Sequence, residues 1–377
     1  MFVQKSRLAV SGFVLAVVLG AGQAEAADAK QVADAIVALV AAGGKATATY
    51  DNASASGDDV TITNFKVTGE GNDLTVPSIV ITGAQPRDKG GFTAASMSMN
   101  GGKMTTKEQQ NVSWDAASAD GVTIPSADEV KAKAHITPFT GGKLTNLTVS
   151  GGDLKAPVTV AGLDGKVAVD DKGSPTDFTG HLTSLKVPLE SIQDDQRAVV
   201  QALGYTEPFE INMTIDGGYQ TSSDTLDFRS LIIDTTNVGK ITIGGKFPGI
   251  PLSKLENPDQ VQSVAATAKL ESFSFRFDNA GIVEKLLDMQ AKQSGLSKGD
   301  FVAQITGGLP FMLNFIGNEA FQKKVADAAT AFLNDPKSIT ISAKPAAAVA
   351  FAAIMGAGQS APQTLPDLLG ADIQANN

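Results

Sequence analysis

The stretch that decides the fold is a strand in which apolar and polar side chains alternate. It reads Phe209-Glu210-Ile211-Asn212-Met213-Thr214-Ile215-Asp216. Because successive side chains of a strand point to opposite faces of its sheet, one face is apolar here and the other is polar. Such alternation is typical of an antiparallel sheet that buries only one face.

Segments on both sides of this strand extend the same pattern. Residues 225–234 and 240–247 follow it after short turns and predict a meander, and Phe273, Phe275 and Phe277 alternate along a further one-sided strand. Upstream, the pattern at 64–67 and 74–77 (Asn-Phe-Lys-Val, then Leu-Thr-Val-Pro) recurs at 111–114 with 122–125 and at 146–149 with 154–157. Repeated hairpins bury a continuous face only by pairing with their neighbours, so we expect one extended sheet whose repeated strands end at proline.

Helical spacing of apolar residues occurs near the start of the chain, in its middle and in its last third. Asp28 and Gln31 form a capping box for a helix that stops at Gly43, and Pro188 opens a second helix that stops at Gly204. After Asp278 three helical segments precede a strand at 338–343, an alanine-rich segment and a polar tail. The predicted fold class is α+β, mainly β: an extended antiparallel sheet of repeated hairpins with helices covering one face.

The first 26 residues have the layout of a secretory signal peptide. A basic start with Lys5 and Arg7 precedes an apolar run at 8–22, and Ala24-Glu25-Ala26 ends in a small-x-small cleavage signal. The chain has no cysteine, which favours a bacterial periplasm over a disulfide-rich secretory route. We therefore expect cleavage after Ala26 and a periplasmic location.

The remaining chain is expected to contain two parts. Residues 27–187 hold the N-terminal helix and the repeated β-hairpin region, and residues 188–377 hold the β-meander and a C-terminal helical subdomain. No linker rich in proline, serine or charge separates them.

Composition and motifs argue against several functional classes. The formal net charge of −10 disfavours a nucleic-acid partner. The serine-elbow pattern occurs once, around Ser297, but it lies between two predicted helices and no histidine follows it. The two histidines, His135 and His181, both lie in strand-like segments and are interpreted as surface or hydrogen-bonded strand residues. We predict a protein that is not an enzyme, with no catalytic residue, no cofactor and no metal site.

The strongest candidate for contact with an apolar ligand or a membrane surface lies at residues 308–316. Several bulky apolar side chains surround Pro310, and methionine and phenylalanine adapt well to flexible lipid tails. The favoured interpretation is a helix that covers the buried face of the sheet, and the alternative is direct contact with ligand. The candidate contact residues are Leu309, Phe311, Met312, Phe315 and Ile316.

The chain also resembles known proteins in the pattern of its short strands and glycines. The segments at 203–205, 215–219, 225–226 and 239–243 resemble uncharacterised periplasmic proteins of proteobacteria. The short strands with glycine punctuation over about residues 60–250 are similar to those of AsmA-like envelope proteins. That resemblance implies a β-sheet groove implicated in moving phospholipid. AsmA-like proteins are usually longer and keep an uncleaved N-terminal helix, and no functional residue carries over.

The sequence therefore predicts an exported, non-enzymatic envelope protein that binds a lipid or other apolar ligand against a one-sided β-sheet. The alternative is a periplasmic protein-binding or scaffold module that uses exposed strand edges. The partners considered are an apolar ligand, another envelope protein and peripheral contact with a membrane.

Overall fold

The computed structural model describes residues 28–42, 45–132, 139–171, 173–255 and 261–377. The predicted signal peptide and its cleavage site lie outside these residues. The strands are β1 (Ala46–Thr49), β2 (Asn52–Ser56), β3 (Asp59–Gly69), β4 (Asn72–Thr82), β5 (Gln85–Pro86), β6 (Phe92–Thr105), β7 (Gln110–Ile124), β8 (Gly141–Gly151), β9 (Val158–Val169), β10 (Pro175–Val187), β11 (Phe209–Gln220), β12 (Thr225–Thr235), β13 (Gly239–Phe247), β14 (Lys269–Leu270), β15 (Ser272–Asn279), β16 (Ser338–Ala343), β17 (Val349–Ala350) and β18 (Ala371–Ala375).

The helices lie mainly at the beginning and in the last third of the chain. They are α1 (Ala29–Ala42), α2 (Ala127–Lys131), α3 (Asp194–Ala202), α4 (Leu252–Leu255), α5 (Val261–Thr267), α6 (Ile282–Gln293), α7 (Lys298–Met312), α8 (Glu319–Asn334), α9 (Phe351–Ser360) and α10 (Leu365–Leu369), with 3-10 turns at Leu189–Ser191, Asn314–Ile316 and Pro362–Thr364. No helix in the described part of the chain is long and apolar enough to cross a bilayer.

One large antiparallel sheet organises the fold. Its sixteen strands follow the order β1-β3-β4-β6-β7-β8-β9-β10-β11-β12-β13-β15-β16-β18, with β2 beside β3 and β5 beside β6. Most neighbours in the sheet are also consecutive strands in the chain, as expected for successive hairpins. The predicted α+β, mainly β class is confirmed.

Contacts within the chain define two compact units. Unit 1 contains the described residues up to 107 together with 116–142, and unit 2 contains 108–115 and 143–377. The strand β7 therefore contributes residues to both. The predicted boundary after residue 187 falls inside unit 2 and stays a prediction.

In unit 1 a helix covers the apolar face of the sheet. The helix α1 is capped by Asp28, whose Oδ1 accepts the backbone N–H of Gln31 at 3.1 Å, which is the Asp28 half of the predicted capping box. Its residues Val32 and Ala33 are 0% exposed, and α1 packs on β1, β2 and β3. In the strands of the same unit, Ile62 and Ile81 are also 0% exposed. Alternating apolar side chains with a helix above them therefore form a closed core.

The repeated asparagines have a backbone role. Asn64 and Asn146 adopt left-handed φ values of 50° and 52°, a conformation that asparagine tolerates better than most residues. Each donates its Nδ2–H to an aspartate, Asp51 at 2.8 Å for Asn64 and Asp115 at 2.7 Å for Asn146. Two copies of the repeat thus share a left-handed asparagine that is hydrogen-bonded to an aspartate. The third copy differs, because Asn111 does not have a positive φ.

The prolines of the repeat are placed differently from one another. Pro77 lies inside β4, so the expectation that its strand ends there is wrong. In the β3–β4 ladder the paired residues on either side are Thr63 with Ser78 and Phe65 with Val76, which puts Pro77 opposite the left-handed Asn64. The missing N–H of proline is tolerated at such an irregular point. Pro125 directly follows β7, and Pro157 directly precedes β9.

Two further expectations need correction. The helix predicted from Pro188 to Gly204 is broken, because Ile192 and Gln193 are extended between the 3-10 turn and α3. The C-terminal tail is not merely polar, since it contains β18, which pairs with β16. By contrast, the predicted strands at 209–216, 225–234, 240–247 and 338–343 and the helices after Asp278 are all present.

A buried ion pair fastens α2 in unit 1. The guanidinium of Arg87 donates to both oxygens of Glu129, at 2.8 and 2.9 Å. The two side chains are 8% and 15% exposed.

Glu129 also accepts the backbone N–H of Ser126 at 3.0 Å in a capping box. These bonds, above all the one from Arg87, lower the pKa of Glu129 below its ordinary value.

We predict that Glu129→Gln lowers the free energy of unfolding by about 3 kcal/mol at pH 7, because Arg87 is then buried without its partner. The folded-state pKa of Glu129 is lowered, so its contribution is complete above the unfolded pKa of about 4.3 and is lost as the pH falls through the folded pKa. Urea unfolding followed by circular dichroism between pH 7 and pH 3 measures both effects. Lys45→Gln, which breaks the exposed Lys45–Glu70 pair, is the control and should leave stability unchanged. Equal stability losses in the two variants would contradict the prediction.

Candidate functional site

The strand register of unit 2 aligns apolar side chains across the sheet. Residues directly opposite each other in an antiparallel pair lie on the same face. One row is therefore continuous over eight strands, from β9 to β18. It consists of Leu163, Leu182, Met213, Ile233, Ile241, Phe277, Ile339 and Ala375.

A second row runs parallel to the first on the same face. It consists of Gly165, Gly180, Ile215, Leu231, Ile243, Phe275, Ile341 and Ile373. Neither row contains an ionisable side chain. We call the surface formed by the two rows the apolar face.

The opposite face of the same strands is polar. His181 is paired with Asp164, and its Nδ1 lies 2.8 Å from the carboxylate Oδ2 of Asp164, with both side chains nearly half exposed. Further along, Arg276 donates to Asp278 at 2.7 Å.

The prediction that His181 is a hydrogen-bonded strand residue is confirmed, whereas His135 lies outside the described residues. The alternation of apolar and polar side chains that the sequence shows at 209–216 thus extends over the sheet of unit 2.

A bulge in β10 keeps the apolar face continuous. Ser184 has a φ of 51°, and it lies between Leu182, paired with Met213, and Leu185, paired with Ile211. The extra residue restores Leu185 to the face of Leu182, since two residues of β10 match one of β11. Ser184 is fixed by its neighbour strand: its backbone N–H donates to Asn212 Oδ1 at 2.9 Å, and its hydroxyl donates to the Glu210 carboxylate at 2.7 Å.

The apolar face is closed at one end and open over other strands. Phe332 of α8 packs edge-on against Phe277, with ring centroids 6.4 Å apart. Among the described residues from 161 to 188, by contrast, none is buried, although all of β10 and the part of β9 that follows Val160 lie there. On β16, Ile341 is 41% exposed. The same alternation that is sealed in unit 1 leaves apolar side chains accessible here.

The sequence-predicted contact residues lie at the end of α7 and in the 3-10 turn that follows it. Leu309 is 8% exposed, Met312 is 59% exposed, and Phe311 and Phe315 are 88% and 81% exposed. Ile316 is half-buried. We call residues 309–316 the tip.

Helix geometry explains why these neighbours differ. Each residue advances about 100° around the axis, so Val302 and Leu309, seven residues apart, share the buried side of α7. Phe311 comes two residues after Leu309 and points about 200° away from it. The favoured sequence interpretation, a helix covering the buried face of the sheet, is therefore wrong for Phe311 and Phe315. Leu309 is buried, and α7 packs on α6 and α8.

The tip belongs to one of two neutral segments in unit 2. Residues 301–318 and 345–366 contain no Asp, Glu, Lys, Arg or His, and they are the longest uncharged stretches after residue 26. Asn318 connects them: its Nδ2 donates to the Gln363 carbonyl at 3.2 Å and to Asp367 at 3.0 Å. The second segment includes α9, where Met355 is 54% exposed.

The serine-elbow match has a structural role. Ser297 lies between α6 and α7, as predicted, and caps α7: its Oγ accepts the N–H of Asp300 at 3.2 Å and donates to the Asp300 carboxylate at 2.6 Å. Within the described ranges, no group of His, Asp and Glu side chains is arranged to hold a metal ion.

A small open depression, about 400 Å³ in volume, lies beside Tyr205 and is also lined by Lys186, Glu207 and Glu210. The Tyr205 hydroxyl donates to the Asn237 carbonyl at 3.0 Å, and burial raises its pKa. These contacts hold the ring in place, which favours a structural role for Tyr205.

The contrast between Leu309 and Phe311 is testable by mutation. Leu309→Ala removes buried apolar volume and should lower the free energy of unfolding by about 2–4 kcal/mol. Phe311→Ala should change it by less than about 0.5 kcal/mol, because the ring is 88% exposed. Thermal and urea unfolding of both variants measure the difference. A loss of several kcal/mol in Phe311→Ala would show that the ring is buried.

Comparison with known proteins gives one partial match. No curated protein matches the chain. A family model described as "Uncharacterized protein" matches residues 232–376. The matched region lies in unit 2 and includes the strands from β13 to β18, the tip and both neutral segments.

Proposed function

We propose that this chain is an exported, non-enzymatic envelope protein that binds the acyl chain of a lipid, or a ligand of the same chemistry, against the apolar face. The observation that carries the proposal is the accessibility of that face. No described residue from 161 to 188 is buried, whereas Ile62 and Ile81 in unit 1 are fully buried.

The physical reason is the free-energy cost of leaving the apolar face exposed to water. Covering apolar surface gains roughly 25 cal/mol for each Å² removed from water. An extended acyl chain lying across Leu182, Met213 and Ile233 would make this gain without desolvating a charge, because ionisable side chains of these strands, such as Asp164 and His181, lie on the other face.

Two sequence-based expectations remain proposals and fit this function. Export to a periplasm, with cleavage after Ala26, would place the protein between membranes that supply lipid. The resemblance to AsmA-like proteins would also suggest that a sheet carries apolar chains. A protein-binding or scaffold role is the alternative that the experiment below distinguishes.

We predict that the chain binds a fluorescent long-chain fatty acid and that Leu182→Gln weakens the affinity at least about tenfold, because it places an amide on the apolar face. The matched control is Thr179→Gln, on the same strand but exposed on the polar face, which should bind as the parent does. Fluorescence titration of the exported chain gives the affinities, and thermal unfolding checks that both variants are folded.

Two results would contradict the proposal. Failure of the parent to bind the fatty acid would move the assignment to a protein-binding module. Equal affinities of the parent, Leu182→Gln and Thr179→Gln would place the ligand away from the apolar face.

A further inference from the structure

We propose that the tip docks the protein on the surface of a zwitterionic lipid bilayer, with Phe311 and Phe315 inserted among the acyl chains. This attachment is separate from ligand binding on the apolar face. It rests on the shape and the charge of the tip, and it would hold whether or not the sheet carries a lipid.

The projecting side chains of the tip are suited to a lipid bilayer. Phe311 and Phe315 are 88% and 81% exposed, so each ring projects into solvent and contacts little of its own protein. Met312, between them, is 59% exposed. A cluster of large exposed apolar side chains marks an interaction surface. Projecting rings can enter a bilayer directly, whereas a folded protein partner would need a matching cavity for each of them.

The charge of the tip favours a bilayer over other apolar partners. Inserting a charged group into a membrane is expensive, and neither neutral segment contains one. The exposed Asn314 lies between the two rings in sequence and can hydrogen-bond to lipid headgroups. Because Asn318 bonds to the Gln363 carbonyl, the second neutral segment, with exposed Met355, is attached to the first.

The charges beside these segments select the kind of lipid. Asp300 and Glu319 flank the first segment, Lys344 and Asp367 flank the second, and the whole chain has a net charge of −10. Anionic headgroups would be repelled by this excess of carboxylates. Zwitterionic headgroups have no net charge and accept the neutral segments without that penalty.

The experiment is co-sedimentation of the exported chain, its N-terminus established by mass spectrometry, with phosphatidylcholine vesicles and with phosphatidylglycerol vesicles. We expect binding to phosphatidylcholine and weaker binding to phosphatidylglycerol. The double variant Phe311→Ser with Phe315→Ser should bind phosphatidylcholine at least about tenfold more weakly, since it lacks the two rings that insert into the membrane. Val199→Ser, at a 51% exposed position on α3, is the matched control and should bind as the parent does.

A spectroscopic reporter tests insertion itself. The chain has one tryptophan, Trp114, so Phe311→Trp adds a single probe at the tip. Its emission should shift to shorter wavelength with phosphatidylcholine vesicles, while the parent emission stays unchanged. Thermal unfolding verifies that all variants are folded.

Several outcomes would overturn the inference. They are a parent that stays in the supernatant with both vesicles, a double variant that binds as the parent does, and stronger binding to phosphatidylglycerol. A parent that dimerises in analytical ultracentrifugation while the double variant is monomeric would assign the tip to a second copy of the chain instead.

Discussion

The pairing of like residues across neighbouring strands is the constraint on which this structure depends. Once one strand alternates apolar and polar side chains, each antiparallel neighbour must place its own apolar residues opposite, or the face is interrupted. From Leu163 to Ala375 the register maintains this match over eight strands. The bulge at Ser184 corrects the phase where the β10 sequence would break it. A sheet built this way has a large apolar surface, and what covers that surface decides what the protein can do.

The two units treat this surface differently. In unit 1, α1 lies on the strands and the side chains beneath it reach 0% exposure. In unit 2, α8 covers the strands around Phe277, while β10 has no buried residue and β9 has none after Val160. Folding gains little from apolar side chains that stay accessible, and an acyl ligand would complete their burial. The tip adds a second accessible apolar element, so both proposals concern lipids but depend on different residues.

Much of the fold could be predicted from local pattern. The alternation at 209–216 identified β11 and the one-sided sheet, and helical spacing located α1, α6, α7 and α8. Other features depend on pairing with distant residues. The strand β18 is short, and its partner β16 precedes it by two helices. Pro77 lies inside β4 at an irregular point of the ladder, opposite the left-handed Asn64.

The candidate site was located but not resolved by sequence. The segment around Pro310 is apolar on all sides, so its periodicity does not indicate which side chains point inward. Leu309 is buried because it shares a side of α7 with Val302, and Phe311 is exposed because it lies about 200° away. The sequence predicted an apolar face on the sheet. Which of its strands the helices leave uncovered depends on the three-dimensional packing of the helices, which local pattern does not determine.

The most direct test of the account compares the accessibility of two isoleucines on apolar faces of the sheet. The chain contains no cysteine, so Ile341→Cys in unit 2 and Ile79→Cys in unit 1 each introduce a single thiol at positions 41% and 1% exposed. Alkylation under native conditions, with thermal unfolding as the check on folding, reports whether each face is open. We predict that the thiol at position 341 reacts at least about 100-fold faster, because the buried one must wait for local opening. Equal slow rates would show that the apolar face of unit 2 is sealed and would contradict the account.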